Sequence, residues 1–248
     1  MTLLLVDTSI YLHKAFDGVS ERDPVKRFFD NFKLLLRIVG EPVTKVIWCL
    51  DGDSRTFRHK MYLPYKAQRP EKTQEFIDFK AYIEKELKQK FTVALHPEYE
   101  ADDCIAYLAK SYKGKVFIAS ADLDQSQLVG GNIKMLKVYN QNSYEHVDEK
   151  YVMNRYGIRP DQIPDFKALA GDKSDNIKLP IKGIGAIKAA CILILYGSIS
   201  GMYDAIEVGD FLYPKLSAEL LLYKKLVYTF LELTSLDKSV PGIINLLS

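Results

Sequence analysis

Short apolar runs alternate with helix-like stretches through the first 150 or so residues, and this alternation most restricts the fold that the chain can adopt. Runs with no polar face are typical of strands that are covered on both sides. Strand, helix and strand repeated in this way predict an α/β fold, with a mostly parallel central sheet and helices on both faces. The five predicted strands are LLLV (3–6), VIWCL (46–50), VAL (93–95), VFIA (116–119) and a weaker IKMLKV (133–138).

Helix boundary signals separate these runs. The stretch 23–40 opens with Asp23 as a cap and Pro24 at the first helical position, and it closes on Gly40. A second stretch, 73–91, carries apolar residues at helical spacing. After about residue 148 the strand signals fade and helical patterns take over. We therefore expect an α/β core over 1–150 and a helical region over 151–248, packed together as one unit.

Composition narrows the class of protein. A chain of 248 residues with 48% hydrophobic residues is long enough to bury a substantial core. It contains no apolar run of the roughly 20 residues needed to span a bilayer, and MTLLLVD lacks the features of a signal peptide, so we expect no membrane association. The three cysteines are far apart and lie in apolar surroundings, which favours reduced thiols and a cytoplasmic location.

Acidic residues follow four successive predicted strands. Asp7 and Asp51 end the first two, Glu100 comes shortly after the third, and Asp122 and Asp124 follow the fourth. Because the carboxyl ends of parallel strands meet at one edge of a sheet, we expect these side chains to lie close together. Like charges in one site raise each other's pKa values and oppose folding unless a cation binds. The positions therefore predict a metal site.

The stretch EYEADDCIAYLA (98–109) adds Asp102 and Asp103 next to Glu100. Taken alone, these acids are an ordinary helix start, since the helix dipole favours negative charge in the first turn. Taken with the acids at the strand ends, they form one wall of the predicted pocket. Carboxylate oxygens without cysteine or histidine suit a hard cation such as Mg2+ or Mn2+. Glu100 and Asp103 share a helix face, whereas Asp102 points elsewhere. Two alternatives are therefore open: more than one metal position, or a single position at which some of these acids bind only indirectly.

Two further acids, Asp172 and Asp175, precede KLPIKGIGAIKAA (178–190). A Gly-x-Gly that opens a helix leaves backbone N–H groups free for a phosphate. A dinucleotide site is disfavoured because a third glycine and a preceding strand are both missing. A hairpin between two helices that grips a DNA phosphate fits better, and a plain helix–helix turn is the alternative. The residues of this hairpin are Lys182, Gly183, Gly185 and Lys188.

A basic stretch, residues 57–72, lies between the second and third acidic positions. Lysine and arginine neutralise phosphates and aromatic rings stack on unpaired bases, although a solvated charged face would look the same. The net charge is only +2, but with the nine candidate metal acids set aside, 23 acids face 34 bases. A basic protein around an acidic pocket suits an enzyme that cleaves phosphodiesters. The stretch interleaves Arg58, Lys60, Lys66, Arg69 and Lys72 with Phe57, Tyr62 and Tyr65.

Six motifs resemble the 5′-nuclease family in their order and approximate spacing: VDTSIYL, LDGDSRTFR, YKAQRP, EYEADDCIAYLA, ASADLDQSQLV and GDKSDNIKLPIKGIGAIKAA. That family comprises flap endonucleases, the 5′–3′ exonuclease domain of bacterial DNA polymerase I, and stand-alone phage exonucleases. The resemblance extends from Asp7 to about Tyr203. It implies a PIN-like 5′-nuclease fold with a helical arch at about 64–90, and a helix-hairpin-helix (helix-three-turn-helix) element at about 162–197.

The resemblance also implies an activity and a set of site residues. The activity is structure-specific 5′-nuclease cleavage, exonucleolytic or at flaps, by two-metal-ion catalysis with Mg2+ or Mn2+ in replication or repair. Tyr65, Lys66 and Arg69 resemble the catalytic residues at the base of the arch. Arg58 and Lys72, with the hairpin residues above, would contact DNA. The implied first metal site contains Asp7, Asp51, Glu100, Asp102, Asp103 and Asp122, and the second contains Asp124, Asp172 and Asp175.

Two departures from the family pattern concern the hairpin loop and the first motif. DNIKLPIKGIG is one residue longer than the usual loop, where the family often holds K+ on backbone carbonyls, so that ion stays an open alternative here. Thr8 stands where the family often has glycine.

The expected partners follow from the resemblance and from the chain length. They are DNA with a 5′ flap, a nick or a 5′ end, or an RNA–DNA primer. We expect a stand-alone phage or bacterial monomer in the cytoplasm that works with a separate DNA polymerase. The alternatives are a module that binds branched DNA without cutting it, and a phosphotransferase with Asp-x-Asp as nucleophile. The phosphotransferase is disfavoured because that motif usually follows the first strand.

Overall fold

The structure is a computed structural model that describes residues 1–16, 23–52, 55–139, 143–236 and 239–247. The chain forms two compact units, and each unit is built from segments that are not contiguous in the sequence. One unit contains Met1–Thr56, Pro70–Asp148 and Leu236–Ser248, and the other contains Phe57–Arg69 and Glu149–Ser235. The predicted domain boundary at residue 150 stays a prediction. Contacts between residues group Phe57–Arg69 with the C-terminal helices.

A central sheet organises the first unit. Among the described residues it has six strands in the order β3-β2-β1-β4-β5-β6, of which the first five are parallel and β6 runs antiparallel to β5. The predicted fold class is confirmed. Only β6 was missed, because its sequence YEHV is short and half polar, as suits an edge strand. The strands are β1 Thr2–Asp7, β2 Lys45–Leu50, β3 Thr92–Leu95, β4 Lys115–Ser120, β5 Ile133–Val138 and β6 Tyr144–Val147.

The helix α2 begins and ends where the sequence signals place it. Asp23 caps α2 by accepting the Val25 N–H at 2.9 Å, and Gly40 ends the helix at φ +71°. The described helices are α1 Thr8–Phe16, α2 Pro24–Val39, α3 Phe57–Met61, α4 Gln74–Lys90, α5 Ala101–Ser111, α6 Glu149–Tyr156, α7 Ile163–Ala170, α8 Ala186–Tyr196, α9 Ile199–Glu207, α10 Pro214–Leu222 and α11 Lys224–Thr234.

An aromatic core holds α1, α2 and α4 against one face of the sheet. The Trp48 ring lies 5.2 Å from that of Phe28 and 5.8 Å from that of Tyr11. All three side chains are fully buried, so each contributes apolar area on the order of 150–250 Å² to the core. The helix α1 begins at Thr8, directly after the end of β1.

The second unit is helical and is held together partly by buried polar side chains. The Gln162 amide donates to the carbonyls of Leu193 and Gly197 at 2.9 and 2.8 Å, which ties the segment before α7 to the end of α8. The Tyr203 hydroxyl donates to the Leu220 carbonyl at 3.0 Å.

By length and composition, no single helix among the described residues could cross a membrane. Only the bent pair Ala186–Tyr196 and Ile199–Glu207, which meet at 75°, passes that test together.

Candidate functional site

The register of the sheet brings the acidic strand ends to one edge. Val6 of β1 lies beside Trp48 of β2 and Ala119 of β4, so these strands end almost level. Asp7 is the last residue of β1, Asp51 follows β2 directly, and Asp122 comes two residues after β4. The carboxylates of Asp51 and Asp122 are close enough to raise the pKa of Asp7.

Asp7 is the buried member of this group, with only 4% of its surface exposed. Its two carboxylate oxygens accept hydrogen bonds from the Ser9 N–H at 3.1 Å and the Ser120 hydroxyl at 2.7 Å. Burial and the negative charges of Asp51 and Asp122 raise the pKa of Asp7 from 3.8 to about 7, against the lowering effect of the Ser120 hydrogen bond. The ionised carboxylate is therefore a costly state in the metal-free protein.

The first turn of α5 forms a second wall. The Glu100 N–H donates to Asp103 Oδ2 at 3.0 Å in a capping box, and the Ala101 N–H donates to Asp51 Oδ1 at 2.9 Å. Glu100 and Asp103 are buried, while Asp102 is half-buried and accepts from the Gln125 amide at 2.7 Å. The helix-start interpretation of these acids is thus correct locally. The same turn also connects α5 to the acid that ends β2.

The loop after β4 completes this edge. Ser120 accepts the Asp122 N–H at 3.0 Å while its own hydroxyl donates to Asp7, so one serine couples two acids. Asp122 in turn accepts the Asp124 N–H at 2.9 Å, as the cap of a short 3-10 helix at Leu123–Leu128. Sequence reasoning did not identify Ser120 or Gln125 as part of the site. The sequence signal for Ser120 is a polar residue at the end of an apolar strand. The signal for Gln125 is a polar residue in the short helix that follows.

The donor set of this edge suits a hard divalent cation. Asp7, Asp51 and Asp122 offer carboxylate oxygens, and within the described residues they accept hydrogen bonds only from neutral donors. Mutual repulsion in such a group is relieved by a bound cation. Oxygen-only ligation is what Mg2+ and Mn2+ prefer.

In the second unit, residues of the YKAQRP segment contact a tight turn at 172–177. The turn is closed by Asp172 and Ile177, whose backbones exchange hydrogen bonds of 2.8 and 2.7 Å. The Arg69 guanidinium donates to Asp175 Oδ1 and the Tyr65 hydroxyl donates to Asp175 Oδ2, both at 3.1 Å. Asp175 is thus held by two of the three residues that were assigned to catalysis.

Lys66 occupies a special position in this segment. Its backbone has φ +56°, a left-handed conformation that is uncommon for a residue other than glycine. The Lys66 N–H donates to the Asp175 carbonyl at 3.2 Å, and its ammonium lies 4.7 Å from the centroid of the Tyr65 ring. Strained conformations of this kind persist where surrounding contacts enforce them, often at functional sites.

Asp172 is held in its charged form. Burial alone would raise its pKa, but the Lys167 ammonium at 2.6 Å and hydrogen bonds from Ser174 outweigh burial, and the pKa is lowered. Asp172 is therefore ionised at neutral pH, and its two oxygens are engaged by Lys167 and Ser174.

Two family models together account for almost the whole chain. The model described as 5′-3′ exonuclease, N-terminal resolvase-like domain, matches residues 2–157, and the model described as 5′-3′ exonuclease, C-terminal SAM fold, matches residues 158–247. The chain belongs to the 5′–3′ exonuclease family. Its members are nucleases, so the expectation of an enzyme that hydrolyses phosphodiester bonds is confirmed.

Curated relatives agree with this assignment. The chain is 32% identical to a 5′-3′ exonuclease of Aquifex aeolicus over 94% of its own length and 83% of that relative. It is 34% identical to the DNA polymerase I of Borreliella burgdorferi over 91% of its own length, but this spans only 25% of the polymerase. The similarity to DNA polymerase I therefore concerns about a quarter of that protein.

Solved structures show the same fold. The 5′-exonuclease of bacteriophage T5 with bound divalent metal ions (zinc) superposes with a TM-score of 0.79 at 22% identity, over 95% of this chain and 90% of that one. A complex of the phage T5 flap endonuclease with DNA and metal ions superposes with a TM-score of 0.77 at 20% identity, over 95% and 89%. At 22% and 20% identity, these superpositions show that the present 5′–3′ exonuclease family member has the same fold as the phage enzymes.

The expected contact of Arg58 with DNA requires a correction. Its side chain is 1% exposed, and its guanidinium donates to the carbonyls of Leu233 and Ser235 at 2.8 and 3.2 Å. These carbonyls lie at the end of α11, where a buried arginine satisfies acceptors that the helix leaves open. Arg58 stabilises the second unit and is not available to a phosphate.

Tyr65 is also buried, at 2% exposure, and its hydroxyl is engaged by Asp175. It acts on Asp175 and not at the protein surface, so we describe it as a positioning residue. Lys66 is half-buried and Arg69 is exposed. Sequence reasoning missed Gln68 and Asn176, which donate to Lys173 and to Pro64 at 2.8 Å each and bind the segment to the turn.

The hairpin residues lie at the surface of the second unit, before and in the first turn of α8. Lys182, Gly183 and Gly185 are exposed, and Gly183 has φ +88°, a conformation that favours glycine. Lys188 is half-buried, with its ammonium 5.0 Å from the Tyr213 ring centroid. In the first unit, Lys72 is exposed just before α4. The DNA-binding roles of these residues remain predictions.

Proposed function

We propose that the chain is a metal-dependent, structure-specific 5′ nuclease that cuts DNA near 5′ ends and flaps. The observation that supports this most directly is the convergence of Asp7, Asp51 and Asp122 at one sheet edge, where their charges oppose each other in the metal-free protein. The solved relatives with DNA and with divalent metal ions support the proposal for the family.

The carboxylates of the first unit would hold the metal. Asp7, Asp51 and Asp122 offer oxygens at the edge, and Glu100, Asp102 and Asp103 extend the set along the first turn of α5 as direct or water-mediated ligands. In the second unit, Asp172 and Asp175 carry further oxygens, and Asp124 follows the edge acids in the first. Two bound Mg2+ or Mn2+ ions would activate a water and neutralise the scissile phosphate.

The protein's own residues orient these ligands and supply positive charge. Ser120 and Ser9 hold the Asp7 carboxylate in one orientation, and Gln125 does the same for Asp102. Lys66 and Arg69 would stabilise the negative charge that develops on the phosphate during cleavage. Tyr65 would keep Asp175 in place while Arg69 changes partners. The exposed hairpin before α8 would contact the DNA backbone through its N–H groups and lysines.

We extend the proposal to the biological setting of the enzyme. Its substrates are DNA with a 5′ flap, nick or 5′ end, and an RNA–DNA primer is the corresponding substrate in replication. The enzyme acts as a monomer in the cytoplasm, together with a DNA polymerase.

One assay tests the activity. Labelled 5′-flap, nicked, blunt and RNA–DNA duplexes are incubated with Mg2+, with Mn2+ and with EDTA. We expect Mg2+-dependent products, and we expect Asp122→Asn to reduce the single-turnover rate by at least about a hundredfold while DNA binding largely survives. The matched control is Asp204→Asn, which removes an exposed acid of α9. Cleavage by Asp122→Asn at the control rate would disprove the metal assignment. Binding without product from any substrate would favour a module that binds branched DNA without cutting it.

A further inference from the structure

One side of α8 in the second unit is apolar and exposed to solvent. Ile187, Ile194 and Leu195 are 84%, 62% and 56% exposed. Their spacing, with Cys191 four residues after Ile187, puts all four side chains on one side of the helix, and the buried residues of α8 lie on the other side. Single exposed apolar residues are ordinary on a protein surface, but a continuous group of them marks a contact surface. We call these four residues the α8 stripe.

A groove of about 590 Å³ adjoins the α8 stripe. Ile187 and Cys191 belong to both the stripe and the groove lining, so the two features form one surface. Tyr156 and Phe166, whose ring centroids are 5.5 Å apart, add two aromatic rings to the lining. The volume lies within the range of about 300–1,000 Å³ that is typical of preformed ligand sites. The groove is therefore large enough for several apolar side chains of a binding partner.

The charged groups at this surface are basic. Of the described residues that line the groove, Arg155 alone is charged, and its guanidinium lies 5.5 Å from the Tyr156 ring centroid. Lys188 follows Ile187 in α8, and its ammonium lies 5.0 Å from the Tyr213 ring centroid. Lys188 forms no ion pair with a carboxylate in the described parts of the chain, and α8 itself contains no acidic residue. The surface therefore favours a ligand that carries negative charge beside apolar groups.

Charge and shape distinguish the ligands that this surface could bind. Phosphates of a nucleic acid would meet the basic groups, but they gain nothing from exposed isoleucine and leucine, and such interfaces are strongly polar. A second copy of the chain, related by a two-fold axis, would bring the same basic residues together, and these repel each other. A planar lipid surface would contact the α8 stripe and leave the groove unfilled. A helix with apolar residues on one face and acidic residues beside them matches both the stripe and its charge.

We propose that the α8 stripe and its groove form a docking site for an acidic amphipathic helix of another protein. The apolar face of that helix would cover Ile187, Ile194 and Leu195, and its carboxylates would lie near Arg155 and Lys188. At 1.5 Å per residue the stripe is about 12 Å long, which corresponds to about two turns of a partner helix. The inference goes beyond the nuclease function, because the site would recruit the protein to a partner and take no part in cleavage.

Matched peptides and variants test the docking site. The probe is a fluorescein-labelled peptide of about 15 residues, near the lower limit for a helix in water, with leucine on one face and glutamate on the other. Two reference peptides carry lysine in place of each glutamate, or serine in place of each leucine. Binding to the full chain is measured by fluorescence anisotropy in EDTA and without DNA. Ile194→Ser shortens the α8 stripe, and Lys188→Glu reverses a charge beside it. Val208→Ser is the matched control, because Val208 is 78% exposed and lies outside α8 and the groove lining. Thermal unfolding of each variant checks that the fold is intact.

We expect a Kd of about 10 µM for the acidic peptide and values at least about tenfold higher for the two reference peptides. Ile194→Ser should weaken binding of the acidic peptide by about tenfold, whereas Val208→Ser should stay within about twofold of wild type. Lys188→Glu should reverse the preference toward the basic peptide. Equal affinity for the acidic and basic peptides, or wild-type affinity of Ile194→Ser, overturns the inference. So does a loss of the same size in Ile194→Ser when a single-stranded oligonucleotide or a vesicle with anionic lipid replaces the peptide. These titrations involve no cleavage, so their outcome is separate from that of the nuclease assay.

Discussion

Replacement of Asp7 by asparagine should make the metal-free protein more stable, even though it should also abolish cleavage. The pKa of Asp7 is raised from 3.8 to about 7 in the folded state by burial and by the charges of Asp51 and Asp122. At about 1.4 kcal/mol for each pH unit, ionised Asp7 costs the folded state about 4 kcal/mol above pH 7.

Asparagine keeps most of the local hydrogen bonds. Its amide oxygen can still accept the Ser9 N–H, and its NH₂ group can donate to the Ser120 hydroxyl oxygen, which already accepts the Asp122 N–H. We allow about 1–2 kcal/mol for poorer geometry of these bonds. The net gain in the free energy of unfolding is then about 2 kcal/mol, which raises the melting temperature by about 4–8 °C for a protein of this size.

The sign of the pH dependence follows from proton binding. Between pH 4 and 7 the folded protein holds a proton on Asp7 that the unfolded chain has released, so this group lowers the stability as pH rises through that window. The advantage of Asp7→Asn should therefore be largest at pH 8 and should shrink by more than half at pH 5.

Calorimetry in EDTA at pH 8 and pH 5 measures this advantage, with Asp204→Asn as the control for loss of an exposed acid. Addition of Mg2+ should raise the melting temperature of wild type more than that of Asp7→Asn. The reasoning is refuted if Asp7→Asn is no more stable than wild type in EDTA at pH 8, or if its advantage is the same at both pH values.

Four further predictions concern the second unit and DNA binding. Lys66→Ala should slow single-turnover cleavage by about 10²-fold or more while Mg2+ affinity, measured by calorimetric titration, changes little; an unaffected rate would remove the role assigned to Lys66. Tyr65→Phe deletes the hydrogen bond to Asp175 and should reduce the rate by about tenfold, with Mg2+ dependence shifted to higher concentration and the melting temperature changed by only a few degrees. Arg58→Ala should lower the free energy of unfolding by about 3 kcal/mol in urea titrations, because two carbonyls at the end of α11 lose their donor, and a variant as stable as wild type would contradict the buried contacts. DNA affinity should fall steeply between 50 and 200 mM salt, by about 10³-fold if six phosphates are neutralised, and a flat salt dependence in anisotropy titrations would rule out binding through phosphate contacts.

The sequence alone was sufficient for the α/β framework and for the edge acids. Buried parallel strands need continuous apolar runs, and helices carry caps and stop signals, so both are visible in a local window, as the boundaries of α2 show. The carboxyl ends of parallel strands also lie at one edge of the sheet. Asp7, Asp51 and Asp122, which are far apart in the sequence, therefore lie close together in the fold. The strand β6 escaped this reasoning because an edge strand needs no apolar run.

Tertiary structure alone decided what the basic residues do. Arg58 and Arg69 look alike in the sequence, yet Arg58 is buried against carbonyls 175 and 177 positions further along the chain, whereas Arg69 meets Asp175 at the surface. Contacts across such sequence distances depend on how helices pack, and no local pattern of residue types encodes them. Local chemistry therefore determined which groups this protein carries to its sheet edge, and packing determined which of them are left to act on a substrate.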